Sequence, residues 1–423
     1  MKNRNVIVLI SVLIALFLIS CTIFIKEKFV DTNAEEEVVT ENISFICNRT
    51  DKKLELEKLV NEFETSHPNI NVNLEIIGDT DEILQRKTAV GDLSDITIVP
   101  AYMDNSEFKK YFLPINDLGF SEENINNYNL GVGDNENLYS VAPSMICLGV
   151  IYNKDIFKKA GIERLPRSEE EFFEICKVIK EKGFIPVAIN YKEPWWMEMW
   201  YNAIPNLLDA KFEVNTIANN IDILGEKSCL TESLGFLRSI VKRGFCEDDL
   251  LSYEWQQCKD DIKDGKAAMT ICNSDLINQL SDMGADKSSF GIFPIPNSKV
   301  INMYQDLALA ISKNTKYPKS AKEFFKFLFE DDRYAKAVNI TSNRKNSEGS
   351  KEIIEQIEEF NIPIKYDSRD NQELTDEEKE KKYIFHRKKT KLALDFRFIQ
   401  KYVISDDVDE LKESMDEKWN REK

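Results

Sequence analysis

Between Ile43 and Ile311, short apolar runs alternate with amphipathic segments, and this alternation restricts the fold more than any other feature of the chain. Ile43 to Cys47 leads into Asn48-Arg49-Thr50-Asp51, after which Leu56, Leu59, Val60 and Phe63 recur at i, i+3, i+4 and i+7. That spacing predicts strand, polar loop and helix. His67-Pro68 closes the helix, and Ile70, Val72, Leu74 and Ile76 alternate with polar residues as a strand with one buried face. A short helix over 81–89, the turn Gly91-Asp92-Leu93-Ser94 and an apolar strand over 96–99 follow. The run from Met145 to Tyr152 has the length of a strand buried on both faces.

The pattern continues through the middle of the chain. Ser168 with Glu171 is a capping box for a helix whose apolar face is Phe172, Ile175, Cys176 and Ile179, and Gly183 stops it. Residues 186–189 read as a strand, 196–263 as mostly helix, and Gly265 to Met269 return the chain to a strand ending at Cys272. From Ala321 the chain is helical almost to its end, with Phe324, Phe325, Phe327, Leu328 and Phe329 as an aromatic packing face. The stretch 367–391 is dense in charge and weak in apolar period, which predicts a solvated helix pair or a mobile insertion. Strands alternating with helices imply mostly parallel sheets covered on both faces, with ligands at the carboxyl ends of the strands.

Composition then narrows the function. With 423 residues, 42% of them hydrophobic, the chain is long enough for about two packed domains. Its formal charge of −18 would repel a polyphosphate, so no nucleic-acid partner is expected. The only two histidines, His67 and His386, stand alone, which leaves little for a His-based metal site or a Ser-His-Asp triad. No metal and no organic cofactor is expected.

Lys2 and Arg4 precede an apolar run from Val6 to Ile19, the layout of a secretory signal. Leu18-Ile19-Ser20-Cys21 resembles a bacterial lipobox, which makes residues 1–20 a signal peptide, Cys21 the lipidated first residue and 21–42 a tether. The alternative is an uncleaved anchor, since the run can be extended to Ile25. Either way the body lies outside the cytoplasmic membrane, on its outer face. Beyond Cys21 there are seven cysteines without a CxxC pair, so buried structural thiols are the default, with Cys229 and Cys246 a possible disulfide.

Several segments together carry a family resemblance. They are Leu59-Val60-Asn61-Glu62-Phe63-Glu64 before His67-Pro68, Gly91 to Ile96, Leu138 to Pro143, Ile151 to Gly161, Gly265-Lys266-Ala267-Ala268-Met269, and Ala321 to Leu328. In this order they resemble the extracytoplasmic solute-binding proteins of ABC importers, family 1, many of which bind sugars. The chain departs from that pattern at Asn273-Ser274-Asp275, where many members carry a tryptophan, and at Tyr304-Gln305-Asp306, where many carry paired glycines. The resemblance implies a two-lobed periplasmic-binding-protein-like fold with the ligand cleft at the hinge. Its expected division is 43–150 plus 266–315 for the first lobe and 151–265 plus 316–423 for the second.

The implied activity is capture of a mono- or oligosaccharide by hinge closure, without chemical change, and its delivery to permease subunits by a monomeric lipoprotein. A sugar needs aromatic plates for its C–H faces and planar polar groups for its hydroxyl rim. Trp195 and Trp196 are the first stacking candidates, then Tyr102, Tyr304 and Trp255, while Trp200 is expected to pack internally. Asn48, Arg49, Asp51, Asp275, Gln305 and Asp306 are the hydroxyl-binding candidates. The competing readings are a non-sugar solute such as a polyamine, a surface sensor, and a glycosidase working with two carboxylates.

Overall fold

A computed structural model describes residues 40–422, except 79, 101–102, 346 and 367–373, together with Phe17, Ser20 and Thr22. The expected lipidation site Cys21, the stacking candidate Tyr102 and the start of the charged segment lie outside the described residues. No described helix is long and apolar enough to cross a membrane.

Among the described residues, eleven strands form two sheets, each a separate body of packing. They are β1 (Glu41–Cys47), β2 (Ile70–Ile76), β3 (Ile96–Ile98), β4 (Ser140–Val141), β5 (Met145–Asn153), β6 (Ile185–Ala188), β7 (Ala267–Asn273), β8 (Phe290–Phe293), β9 (Ile301–Gln305), β10 (Leu309–Ile311) and β11 (Ile364–Lys365). The first sheet runs β2-β1-β3-β10-β4. Its β1 lies parallel to β2, from Glu41 opposite Ile70 to Cys47 opposite Ile76, and β10 is antiparallel to both β3 and β4. Because β1 begins at Glu41, the expected tether ends two residues early. The second sheet runs β11-β9-β5-β7-β6, with β8 also on β5; β5 is antiparallel to β7, β8 and β9, and β6 is parallel to β7.

The expected lobe division needs correction at three places, the first being residues 145–150, which were expected in the first lobe and belong to β5 of the second sheet. Strand β7, buried except for its last residue, pairs with β5 and β6, so the segment from 266 to β9 belongs to the second sheet and not to the first. A strand with both faces and both edges covered sits inside a sheet, and β5 and β6 cover the two edges of β7. The aromatic helix Pro318–Phe329, assigned to the second lobe, packs instead on the first: Phe324 meets Phe45 edge-on at 5.5 Å and Phe63 at 4.8 Å. That first core also takes Ile43, Phe45, Leu56, Phe63 and Tyr334.

The second lobe has a larger core, in which Val150, Phe172, Cys176, Trp196, Trp200 and Leu237 pack with the C-terminal helices. The described part of the charged segment carries one helix, Asp376–Lys391, opened by a Thr375/Glu378 capping box. Phe385 is its one buried residue, seated 5.2 Å from Phe212 and 5.3 Å from Trp419. The next helix, Phe396–Ile404, buries Ile399 and Val403, and Arg238 caps its end by donating to the carbonyls of Tyr402, Val403 and Ser405 at 3.0, 3.1 and 2.6 Å. All seven described cysteines are free, Cys229 and Cys246 included.

Three segments cross between the lobes and lie against one another: Ala142 to Ser144, Asp306 to Ala308, and Thr341 to Arg344. The amide of Asp306 donates to Ser144 at 3.1 Å, that of Met145 to Thr341 at 2.9 Å, and fully buried Asn343 donates its side-chain amide to Asn126 and Ala142, both at 2.9 Å. Backbone bonds and side-chain amides hold this junction, with Leu307 in the first core and Ala308 in a smaller apolar cluster.

Candidate functional site

The carboxyl ends of β1, β6 and β7 meet at the interface between the lobes, and the sequence places its polar and aromatic residues there. After β1 the chain turns through the short 3-10 segment Thr50–Lys52, which turns Arg49 inward until it is 9% exposed. Its guanidinium grips Asp51 with two parallel bonds, Nε to Oδ1 at 3.0 Å and Nη2 to Oδ2 at 2.7 Å. Nη1 lies 3.7 Å from Asp306 of the junction, which also accepts from Ser144 Oγ at 3.2 Å. Across the interface Asp275 precedes the helix Leu276–Asp282 and accepts from Gln279 at 2.9 Å.

Three carboxylates therefore surround one guanidinium. Burial, and then repulsion by Asp306, push the Asp275 carboxyl up to about 6. Burial likewise raises the Asp306 carboxyl, against the pull of Arg49. A group with hydroxyl or ammonium donors would relieve both acids. Beside them the Oδ1 of Asn48 is buried without any donor, an acceptor that costs stability until something donates to it.

The aromatic part of the site comes from helix starts in the second lobe. Pro194 opens the helix Pro194–Asn202, and successive residues of a helix turn by about 100°, so Trp195 and Trp196 point to different sides. Trp195 is 41% exposed and meets Trp255, first residue of the helix Trp255–Lys263, edge-on at 5.2 Å. Trp196 is fully buried and donates Nε1–H to the Ile271 carbonyl at 2.7 Å, so it is a core residue and not part of the rim. Trp200 is also core. Tyr304 accepts from Asn302 at 3.3 Å on the same face of β9, and its neighbour Gln305 pairs with Met145 at the junction.

Residues not singled out from sequence complete the interface. Lys52, with a side chain only 6% exposed, forms an ion pair with Asp282 of the opposite lobe, and Asn339 of the first lobe donates to the same carboxylate at 3.2 Å. A lysine directly after the first strand's loop was the available signal; its partner 230 positions away was not. Two residues beyond β6, Asn190 is left-handed (φ 47°), and Glu247 accepts from the amide of Ile189 at 3.0 Å. Burial pushes the Glu247 carboxyl up to about 7. The geometry suits gripping a polar solute between two surfaces. Among the described residues no group of three or more His, Cys, Asp or Glu could hold a metal ion.

Known proteins share this architecture. The multiple sugar-binding protein of Streptococcus mutans is 25% identical over 308 residues, covering 70% of this chain and 72% of that one. A solved ABC-transporter binding protein from Bifidobacterium animalis subsp. lactis, in complex with mannobiose, superposes with a TM-score of 0.71 at 23% identity, over 90% of this chain and 94% of that one. The apo form of RafE from Streptococcus pneumoniae superposes with a TM-score of 0.64 at 18% identity, over 91% and 97%. The two solved structures share the fold. Residues 48–334, well over half of the 423, match the bacterial extracellular solute-binding proteins, and the chain belongs to that family.

Proposed function

We propose that this protein is the capture subunit of a carbohydrate ABC importer: it closes its lobes on a mono- or oligosaccharide and hands it, chemically unchanged, to permease subunits. The observation that carries this reading is the pairing, at one interface, of a half-exposed indole with buried, donor-hungry carboxylates. Trp195, backed by Trp255, supplies a plate for a sugar face, and Asn48, Arg49, Asp51, Asp275 and Asp306 supply the rim of acceptors and donors. The likeness to a multiple sugar-binding protein and to a binding protein solved with mannobiose supports the same class.

Closure follows from linkage: a ligand touching both rims stabilises only the conformation in which both reach it. The protein acts as a monomer, exported and held at the outer face of the cytoplasmic membrane by a lipid on Cys21. The excess of carboxylates over guanidinium also suits a polyamine, and this second reading is separated from the first by experiment. Calorimetry against mono- and oligosaccharides and against spermidine is expected to give a sugar isotherm that is lost in Trp195→Ala. Binding of spermidine alone, or catalytic release of a product from a glycoside, would replace the proposal. Mass spectrometry of the mature N-terminus tests the anchor: an acylated Cys21 supports it and an intact Met1 without lipid rejects it.

A further inference from the structure

A cavity of about 380 Å³ lies between the lobes on the far side of the junction from Arg49 and Asp275. The strand order places it. In the second sheet β7 and β6 lie to one side of β5, and β9 and β11 to the other. In the first sheet β4 forms the edge opposite β2, and the turn Tyr128–Gly131 packs beside it. Two of the crossing segments link β4 to β5 and β9 to β10, and the third, at Ser342, bridges to Ser144 of the first, so together they divide the interface. The site described above is on the side of β1, β6 and β7; the cavity, walled by Asn127 and Tyr128 from one lobe and by Asn302, Lys365 and Tyr366 from the other, is on the side of β4, β9 and β11.

Its chemistry is the reverse of the front. Lys211, Lys345 and Lys365 line it against one acid, Glu122, in a chain whose net charge is −18. Lys211 is paired with Glu378 at 2.8 Å, and Lys345 donates to the Glu122 carbonyl at 2.6 Å. Beyond the backbone pairing of β11, the Lys365 ammonium has neither an ion pair nor a hydrogen bond among the described residues. Asn127, held at φ 57° with its amide donating to Met303 at 3.4 Å, keeps a buried Oδ1 with no donor. Unused ammonium protons, an orphaned amide oxygen and two phenol rings together fit a hydroxylated anion of about one sugar unit, its charge at Lys365 and a hydroxyl at Asn127.

We propose that this rear cavity is a second binding site, for a sugar acid or sugar phosphate, and that its occupancy favours closure of the front. The cavity is formed in a conformation whose front rims already touch through Lys52 and Asp282. A ligand that fills it holds the rear walls apart and so stabilises that conformation. By reciprocity it raises affinity for the solute in front by the same factor as the front solute raises its own. The inference does not depend on what the front site binds.

The test is calorimetry on the full chain with four probes: glucuronate, glucose 6-phosphate, glucose and inorganic phosphate. The two charged sugars are expected to bind at least tenfold more tightly than glucose or phosphate, to lose at least tenfold in Lys365→Glu, and to be unaffected by Trp195→Ala. Lys365→Met, at the same exposed edge position, is expected to show an intermediate loss and guards against a folding artefact. Silence of both charged sugars, equal binding of phosphate alone, indifference to both Lys365 variants, or loss in Trp195→Ala would each overturn the proposal. An unchanged front affinity with the rear occupied would overturn the coupling.

Discussion

The two lobes arm the interface in different ways. The first presents charge: Arg49 and Lys52 are nearly buried, locked to Asp51, Asp306 and Asp282, and held by the turn that follows a parallel strand. The second presents aromatic surface: Trp195 stays half exposed, fixed only by its helix start and by the edge of Trp255. A buried ion network is expensive to leave unpaired, so it tolerates almost no motion, whereas an exposed indole loses little when nothing covers it. One rim is locked by charge; the other is an indole surface with room left on its open side.

The sharpest way to break this contrast is Arg49→Met. It leaves Asp306 buried beside Ser144 with no counter-charge, and the expected cost is about 3–5 kcal/mol of stability in chemical denaturation, with solute binding lost. Trp196→Ala should cost a similar amount, about 3–5 kcal/mol, by opening a cavity in the second core, yet the folded fraction should still bind. Trp195→Ala should do the opposite, with an unchanged melting temperature and an affinity lower by roughly tenfold to a hundredfold in calorimetry.

Asp282→Asn removes one charge of the contact between the rims, and a several-fold faster dissociation rate with an unchanged association rate is expected in stopped flow. The smallest effect concerns pH. Glu247 titrates near 7 when folded and near its ordinary value when unfolded, so the folded state binds the extra proton. Its contribution is fully present below about 4.5 and is lost as the pH rises through about 7. Denaturation at intervals from pH 5 to 7.5 should therefore show a fall in stability that is shallower in Glu247→Gln.

The contrast between the rims also marks what could be read in advance. The first strand and helix were legible because Ile43 to Cys47 and the spacing of Leu56, Leu59, Val60 and Phe63 carry their periods locally, and they fold as β1 and the helix Lys53–Ser66. Arg49, Asp51, Asp275 and Asp306 were legible as polar residues in loops after strands, and the structure brings these four together. Trp196 was misread because a pair of adjacent tryptophans at a helix start gives no sign of which one faces inward; the carbonyl of Ile271 decides it. Lys52 was overlooked because its partner lies in the other lobe.

The order of elements, the family segments and the chemical types in each loop are properties of neighbours along the chain, and the sequence alone determined them. Which lobe β7 and the helix Pro318–Phe329 join, which indole faces outward, and which acids share Arg49 were decided only in three dimensions. The physical reason is range. Helical and strand periods repeat within a few residues, whereas burial and charge pairing depend on groups that meet only after the lobes have packed.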